Sequence, residues 1–259
     1  MKVRAIFTDL DGTLLEPDGS LRSEAMSEIQ RLTATGIPVC LVTSKTPREV
    51  VGLLARLRLE TPAGFENGAG IVDGIGSVVF DPAAIPAAEL RLAAARLRSR
   101  SGAPLRTLDE LDDSELTSLT GLRGSELAKA RDRQATVPLF VAPEWDSTLN
   151  ATLGARPRMR LVRGNRFLHL QGDHDKTTVM KLLLSRLPSR EGMVISCGDS
   201  PNDLELLTAA QIAVIVPSAA GPSEELVMKI PGAQIAPQPH GRGWAMAVRE
   251  IVERTTLWR

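Results

Sequence analysis

Apolar and polar positions along the chain fall into three successive textures. In the first, Val3, Ala5, Ile6 and Phe7 make a short apolar run that stops at Asp9-Leu10-Asp11-Gly12-Thr13. Such a run predicts a buried strand that delivers two carboxylates at its tip, with Gly12 letting the backbone turn so that both can converge. Ser23 to Thr35 carries Ala25, Met26, Ile29 and Leu32 at helical spacing, and Gly36 stands where the helix would end. A second strand is predicted over Ile37 to Val42, leading into Thr43-Ser44-Lys45-Thr46-Pro47. A helix follows from Pro47 through Val50, Leu53, Leu54 and Leu57, its N-terminus offering N–H groups to an anion. This is a strand-helix-strand unit, for which a parallel sheet and right-handed crossover are preferred, with ligands at the carboxyl ends of the strands. That geometry brings Thr43 and Ser44 toward Asp9 and Asp11. Thr61 to Phe80, containing Glu66-Asn67-Gly68, reads as a strand end and a short hairpin.

The texture changes after Asp81. Pro82 and Pro86 precede an Ala/Leu/Arg helix over Ala87 to Arg100, an acidic stretch from Leu105 to Leu119, and a helix over Ser125 to Arg131. A strand over Val137 to Val141, a helix over Asp146 to Gly154, and strands over Met159 to Val162 and Arg166 to Leu170 around Arg163-Gly164-Asn165 complete this stretch. Short strands with hairpin connections predict a separate α+β module over residues 83–170. The third texture returns to the first: Lys176 opens a helix through Val179, Met180 and Leu183. Met193 to Ser196 is a buried strand running into Cys197-Gly198-Asp199-Ser200-Pro201-Asn202-Asp203, followed by a helix through Leu204 to Leu207 and a strand over Ile212 to Val216. The fold class is therefore α/β, a Rossmann-like parallel sheet with helices on both faces. It is assembled from residues 1–82 and 171–259, with the α+β module inserted between them.

Bulk properties narrow the function classes. The 259 residues are 43% hydrophobic and 24% charged, which suits a folded protein. Lys+Arg and Asp+Glu are both 31, so no net field recruits nucleic acid or an anionic membrane, and any anion must be held by a local cluster. The two cysteines, Cys40 and Cys197, lie at or near core strand ends and suit reduced thiols. With no leader pattern and no apolar stretch of about 20 residues, a cytoplasmic monomer or homodimer is expected.

Four pieces carry chemistry. Asp9-x-Asp11 suits a hard cation such as Mg²⁺, although an Asp-rich turn after a strand is common in itself. Thr43-Ser44 could equally cap a helix, and Lys176 alone could be a solvated charge. Gly198-Asp199-x-x-Asn202-Asp203 is stronger, since an N-cap explains only one of its two carboxylates.

Together, and in this order, the four pieces resemble the haloacid dehalogenase superfamily of phosphohydrolases. The resemblance implies that Asp9 is the nucleophile forming an aspartyl phosphate, and that Asp11 is the general acid and base. It makes Thr43 and Lys176 the phosphate-binding catalytic groups, and Asp9, Asp11, Asp199 and Asp203 the Mg²⁺ set, with Asp199 the direct ligand and Asp203 and Asn202 in support. For Asp11 to act near neutral pH its pKa would have to be raised. The insert stands where the superfamily's type-2 (C2B-like) caps occur. Within that group the whole chain is similar to the mannosyl-3-phosphoglycerate phosphatases through Val42-Thr43-Ser44-Lys45-Thr46, Glu66-Asn67-Gly68, Leu119-Thr120-Gly121-Leu122, Arg163-Gly164-Asn165-Arg166-Phe167 before His169, and Gly241-Arg242-Gly243-Trp244.

That similarity implies a small sugar-phosphate substrate touched by Ser44, Lys45, Glu66, Asn67, Gln134, Thr136, Arg163, Asn165, Arg166 and Asn202. Arg163, Asn165 and Arg166 offer donors for a carboxylate or second anion, though a polar hairpin turn has the same composition. The sequence departs from those phosphatases at Val137, before Pro138, where they commonly carry an acidic residue suited to sugar hydroxyls. A glucosyl ester or another sugar phosphate therefore stays open as substrate. A phosphomannomutase and a catalytically silent sugar-phosphate-binding module are the rival functions.

Overall fold

The computed structural model of the protein describes residues 2–154 and 158–257. Five parallel strands form its main sheet: β1 (Val3–Thr8), β2 (Val39–Leu41), β10 (Met193–Gly198), β11 (Ile212–Ile215) and β12 (Gln234–Ile235), in the order β12-β11-β10-β1-β2. β1 lies inside the sheet and is buried on both faces, which is why it reads as an apolar run rather than an alternation. Ile6 packs with Val39, Leu41, Ile29 and Leu32 on one face. Ala5 and Phe7 pack with Val42, Val179, Met180 and Leu183 on the other. The first face is covered by α1 (Ser23–Ala34), α2 (Pro47–Leu57) and the C-terminal α10 (His240–Leu257), and the second by α7 (Lys176–Arg186) and α8 (Leu204–Thr208). β3 (Ala63–Phe65), β4 (Gly70–Val72) and β5 (Val78–Phe80) form a small antiparallel sheet, joined to the main sheet by a bridge between Val42 and Gly64.

Helices α3 (Ala87–Ser101), α4 (Asp113–Thr120), α5 (Ser125–Arg131) and α6 (Asp146–Leu153) accompany a second sheet of β6 (Arg106–Thr107), β7 (Thr136–Phe140), β8 (Met159–Arg163) and β9 (Leu168–Gly172). Its order is β6-β7-β9-β8 and every pairing is antiparallel. Side chains alternate along β7 and β9. Val137, Leu139, Leu168 and Leu170 pack against Leu90, Leu97, Leu149 and Leu153 of α3 and α6. Thr136, His169 and Gln171 take the opposite face and are buried as well.

Two expectations shift. The last hairpin strand starts at Leu168 rather than Arg166, because the Gly164 N–H donates to the Phe167 carbonyl at 3.0 Å and closes a four-residue turn that keeps Asn165 and Arg166 out of the ladder. The C-terminal elements α9 (Glu224–Lys229), β12 and α10 extend the sheet and cover it without having been anticipated. Cys40 and Cys197 are buried free thiols, as their strand positions require. Among the described residues no helix is long and apolar enough to cross a membrane.

Candidate active site

Three strand ends meet at one edge of the main sheet. Thr8 pairs with Leu41 on one side and Cys197 on the other, so Asp9, Thr43 and Asp199 leave the sheet together. The Asp9 N–H donates to the Cys197 carbonyl at 3.0 Å and the Val42 N–H to the Thr8 carbonyl at 2.9 Å, which extends the ladder to the point where the side chains diverge. Gly12 turns the chain back at φ +92°, and a Cβ there would lie 2.3 Å from an oxygen of Asp199. Only glycine passes the chain this close to the second carboxylate.

Asp9 is 5% exposed and Lys176 1%. The Lys176 ammonium donates to Asp9 Oδ1 and to Asp203 Oδ1, each at 2.5 Å. Asp203 Oδ2 accepts from the N–H groups of Asp199 and Ser200 at 3.1 and 3.2 Å, so both of its oxygens are engaged. Lys176 is the first residue of α7, whose N-cap is Asp175. The helix can start here because Gly68, at φ +100°, lets the Asp175 carbonyl approach to where a Cβ would stand only 1.9 Å away.

Three carboxylates around one ammonium leave this floor short of positive charge. Burial, followed by Asp203 and Asp199 and opposed by Lys176, pushes the Asp9 carboxyl well above the usual range. Burial and then Asp203 push Asp199 up to about 7. Lys176 is held charged: burial opposes it, but Asp203 and Asp9 outweigh burial. Ligand oxygens of Asp9, Asp199 and Asp203 lie within 4.8 Å of one another. A largely buried, all-oxygen set with surplus negative charge fits a hard divalent cation. The Asn165 amide bridges the same group, donating to Asp199 Oδ2 at 2.8 Å and to the Asp11 carbonyl at 3.2 Å.

Asp11 departs from the expectation of a raised pKa. Burial acts in that direction and is the largest single influence, but the Lys45 ammonium, 2.9 Å from Asp11 Oδ1, together with Arg166 and Lys176 holds the carboxyl below its ordinary value. Thr43, fully buried, accepts the Lys45 N–H on its hydroxyl oxygen at 3.2 Å, which leaves its O–H hydrogen free to donate. The α2 N-terminus is not open to an anion. Thr46 and Glu49 close it with a capping box, and the Thr46 hydroxyl donates to the Lys129 carbonyl at 2.8 Å.

A cleft of about 420 Å³ opens above this floor, walled by the main sheet's loops below and by α4, α5, the β8–β9 turn and His169 of β9 above. Asp9, Asp11, Ser44, Lys45, Asn165, Arg166, Asp199 and Asn202 line it. Four expected substrate residues lie at the seam between the two sheets instead. Glu66, fully buried, accepts from the Gln134 and Ala135 N–H groups and the Thr136 hydroxyl at 2.7–2.9 Å. Asn67 donates to Gln171 at 3.1 Å. Arg163 also leaves the cleft, because its guanidinium grips Asp146 through two nitrogens, one at 2.9 Å, and reaches the Val141 carbonyl. In their place the cleft gains Arg133, His169 and His240. The Leu-His-Leu-Gln alternation over residues 168–171 could have signalled His169. His240 has φ +51° and its Nδ1 lies 3.0 Å from the Gly12 carbonyl, which can only accept, so Nδ1 carries the proton. No sequence signal foretold that placement.

A sequence profile of the haloacid dehalogenase-like hydrolases matches residues 6–94 and 167–226. A glucosyl-3-phosphoglycerate/mannosyl-3-phosphoglycerate phosphatase of Persephonella marina is 26% identical over 263 aligned residues, covering 95% of this chain and 96% of that protein. Among solved structures, a phosphatase of the haloalkanoate superfamily from Bacteroides thetaiotaomicron superposes with a TM-score of 0.73 at 18% identity, over 96% of this chain and 95% of that one. A sugar phosphatase of the superfamily's subclass IIB gives 0.73 at 17% identity, over 96% and 99%. The two structures establish the shared fold. The profile spans more than half of the chain and both segments that build the strand-end floor: the chain belongs to the haloacid dehalogenase-like hydrolases.

Proposed function

We propose that the chain hydrolyses a glycosyl-3-phosphoglycerate, the mannosyl ester first, to the glycosylglycerate and phosphate, with Mg²⁺ as cofactor and residues 83–170 acting as the cap. One observation carries the chemistry: a buried carboxylate, Asp9, faces the cleft while Lys176 and two further carboxylates surround it. In this reading an Asp9 oxygen attacks phosphorus, the bond from phosphorus to the ester oxygen breaks, and an aspartyl phosphate forms. Asp11 gives its proton to the departing oxygen, then takes one from the water that attacks the acyl phosphate. The Thr43 hydroxyl and the Lys176 ammonium hold phosphate oxygens. Bound by Asp9, Asp199 and the Asp11 carbonyl, Mg²⁺ would offset the repulsion between a phosphate dianion and a carboxylate nucleophile. A phosphate dianion also gives Lys45 a second partner, which frees Asp11 to hold a proton.

The substrate class rests on the relative that shares 26% of its residues across both sheets. The test is phosphate release with Mg²⁺ from mannosyl- and glucosyl-3-phosphoglycerate, hexose phosphates and 3-phosphoglycerate. A preference in kcat/KM of a hundredfold or more for a glycosyl-phosphoglycerate, about 2.7 kcal/mol, supports the reading. A flat profile overturns the substrate and leaves a generalist phosphatase.

A further inference from the structure

Cations around the cleft are not equivalent. Lys45 is neutralised by Asp11, and Arg163 by Asp146 outside the cleft. Arg133 lies in the link between α5 and β7 and is anchored by carbonyls alone, its Nε donating to Ala130 at 2.9 Å and its Nη1 to Ser44 at 2.6 Å. Among the described residues no carboxylate pairs with it, and its Nη2 makes no hydrogen bond. A guanidinium has five N–H donors in a planar fork, so this anchoring fixes the plane and leaves one edge open. Arg166 has the same habit, resting on the Thr120 and Pro17 carbonyls, but lies at the exposed rim.

Beside Arg133, His169 points from β9 toward the cleft, because Leu168 and Leu170 take the other face into the cap's core. It is 5% exposed, and its Nδ1 has no partner among the described residues. Burial, then Arg133, Lys176 and Arg163, push its pKa down to about 3, so the ring is neutral and offers one donor and one acceptor. A fixed guanidinium edge with a neutral imidazole beside it can match a carboxylate and an adjacent acceptor oxygen. A second phosphate would bring a second dianion to a cleft already lined by Asp9, Asp11 and Asp199, and one fork cannot offset it.

We infer that Arg133 is the specificity-determining residue of this site, its open edge pairing with a carboxylate on the leaving-group side of the substrate while the His169 N–H donates to the neighbouring glycosidic oxygen. The inference rests on the glycosyl-phosphoglycerate reading above and adds to it the residue that recognises the carboxylate. The test uses the full chain carrying Asp9→Asn, so that ligands are not turned over, titrated calorimetrically with Mg²⁺ present. The probes are 3-phosphoglycerate and glycerol 3-phosphate, which differ by a carboxylate against a hydroxymethyl group. We expect 3-phosphoglycerate to bind at least tenfold more tightly. Adding Arg133→Gln brings the ratio to within about twofold, and Arg133→Lys, which keeps the charge but not the fork, retains part of it. A ratio near one before Arg133 is altered, or one that survives Arg133→Gln, overturns the inference alone. Failure of both probes to bind overturns the inference too, while the phosphatase reading is decided separately by phosphate release from the wild-type chain.

Discussion

The Lys45 ammonium lies 2.9 Å from Asp11 Oδ1 and is the strongest cationic influence on the residue assigned as general acid. Burial on its own would raise the Asp11 pKa, but Lys45, joined by Arg166 and Lys176, reverses the sign. Lys45→Met removes the strongest of these cationic influences, so the Asp11 pKa rises. The acid form then persists to higher pH, and the alkaline limb of the kcat/KM profile is expected to move upward. A profile measured with a carboxylate-free phosphomonoester checks this. An alkaline limb that stays in place would remove Asp11 from the proton-transfer role.

Asp9→Asn is expected to cut phosphate release by on the order of a thousandfold or more, since an amide cannot attack phosphorus. The fold should tolerate it. Lys176 keeps Asp203 at 2.5 Å, and a buried carboxylate crowded by two others becomes neutral. Thermal denaturation monitored by circular dichroism should therefore show a midpoint that does not fall, and a protein that unfolds well below the wild-type midpoint would contradict this account of the site's electrostatics.

Glu66 ties the second sheet to the first. Its carboxylate serves the Gln134 and Ala135 N–H groups and the Thr136 hydroxyl from a fully buried position. Glu66→Ala leaves these donors without an acceptor, at about 1–3 kcal/mol for each buried group, and we expect a loss of about 3 kcal/mol in urea denaturation. A loss below about 1 kcal/mol would mean that the seam is held elsewhere.

The floor of the site was legible because its signals are local. An apolar run ending in Asp9-x-Asp11-Gly12, a strand ending at Thr43, and Gly198-Asp199-x-x-Asn202-Asp203 each mark a strand end, and parallel pairing brings strand ends together. Glu66 shows where that legibility stops. A glutamate in a Glu-Asn-Gly turn reads as polar and available, and what buries it is a pair of backbone N–H groups about 70 positions away in the sequence. Asp11 shows a second limit: crowding was visible, but the sign of the shift depended on where the Lys45 side chain came to rest. The helix α10 was within reach, since Ala245, Val248, Ile251 and Val252 have helical spacing and are buried.

Arg163 tests the boundary between the cleft and its walls. From its place in Arg163-Gly164-Asn165-Arg166 it was expected to meet a substrate anion, so that its loss would raise KM. In the structure its fork is filled by Asp146, from Nε at 2.9 Å and from a second nitrogen, and the Val141 carbonyl takes a third donor at 3.3 Å. A guanidinium used this way has little left to offer a ligand. Arg163→Ala should leave KM for a phosphoglycerate ester within about twofold. Because both partners are partly exposed, it should cost only about 1 kcal/mol of stability. Arg133→Ala in the same assay should raise KM by tenfold or more, as its open edge requires. The pair of variants therefore separates a wall residue from one that faces the ligand. An equal rise in KM for both would mean that the Arg163–Asp146 pair opens in the substrate complex, and no rise for either would remove Arg133 from the ligand.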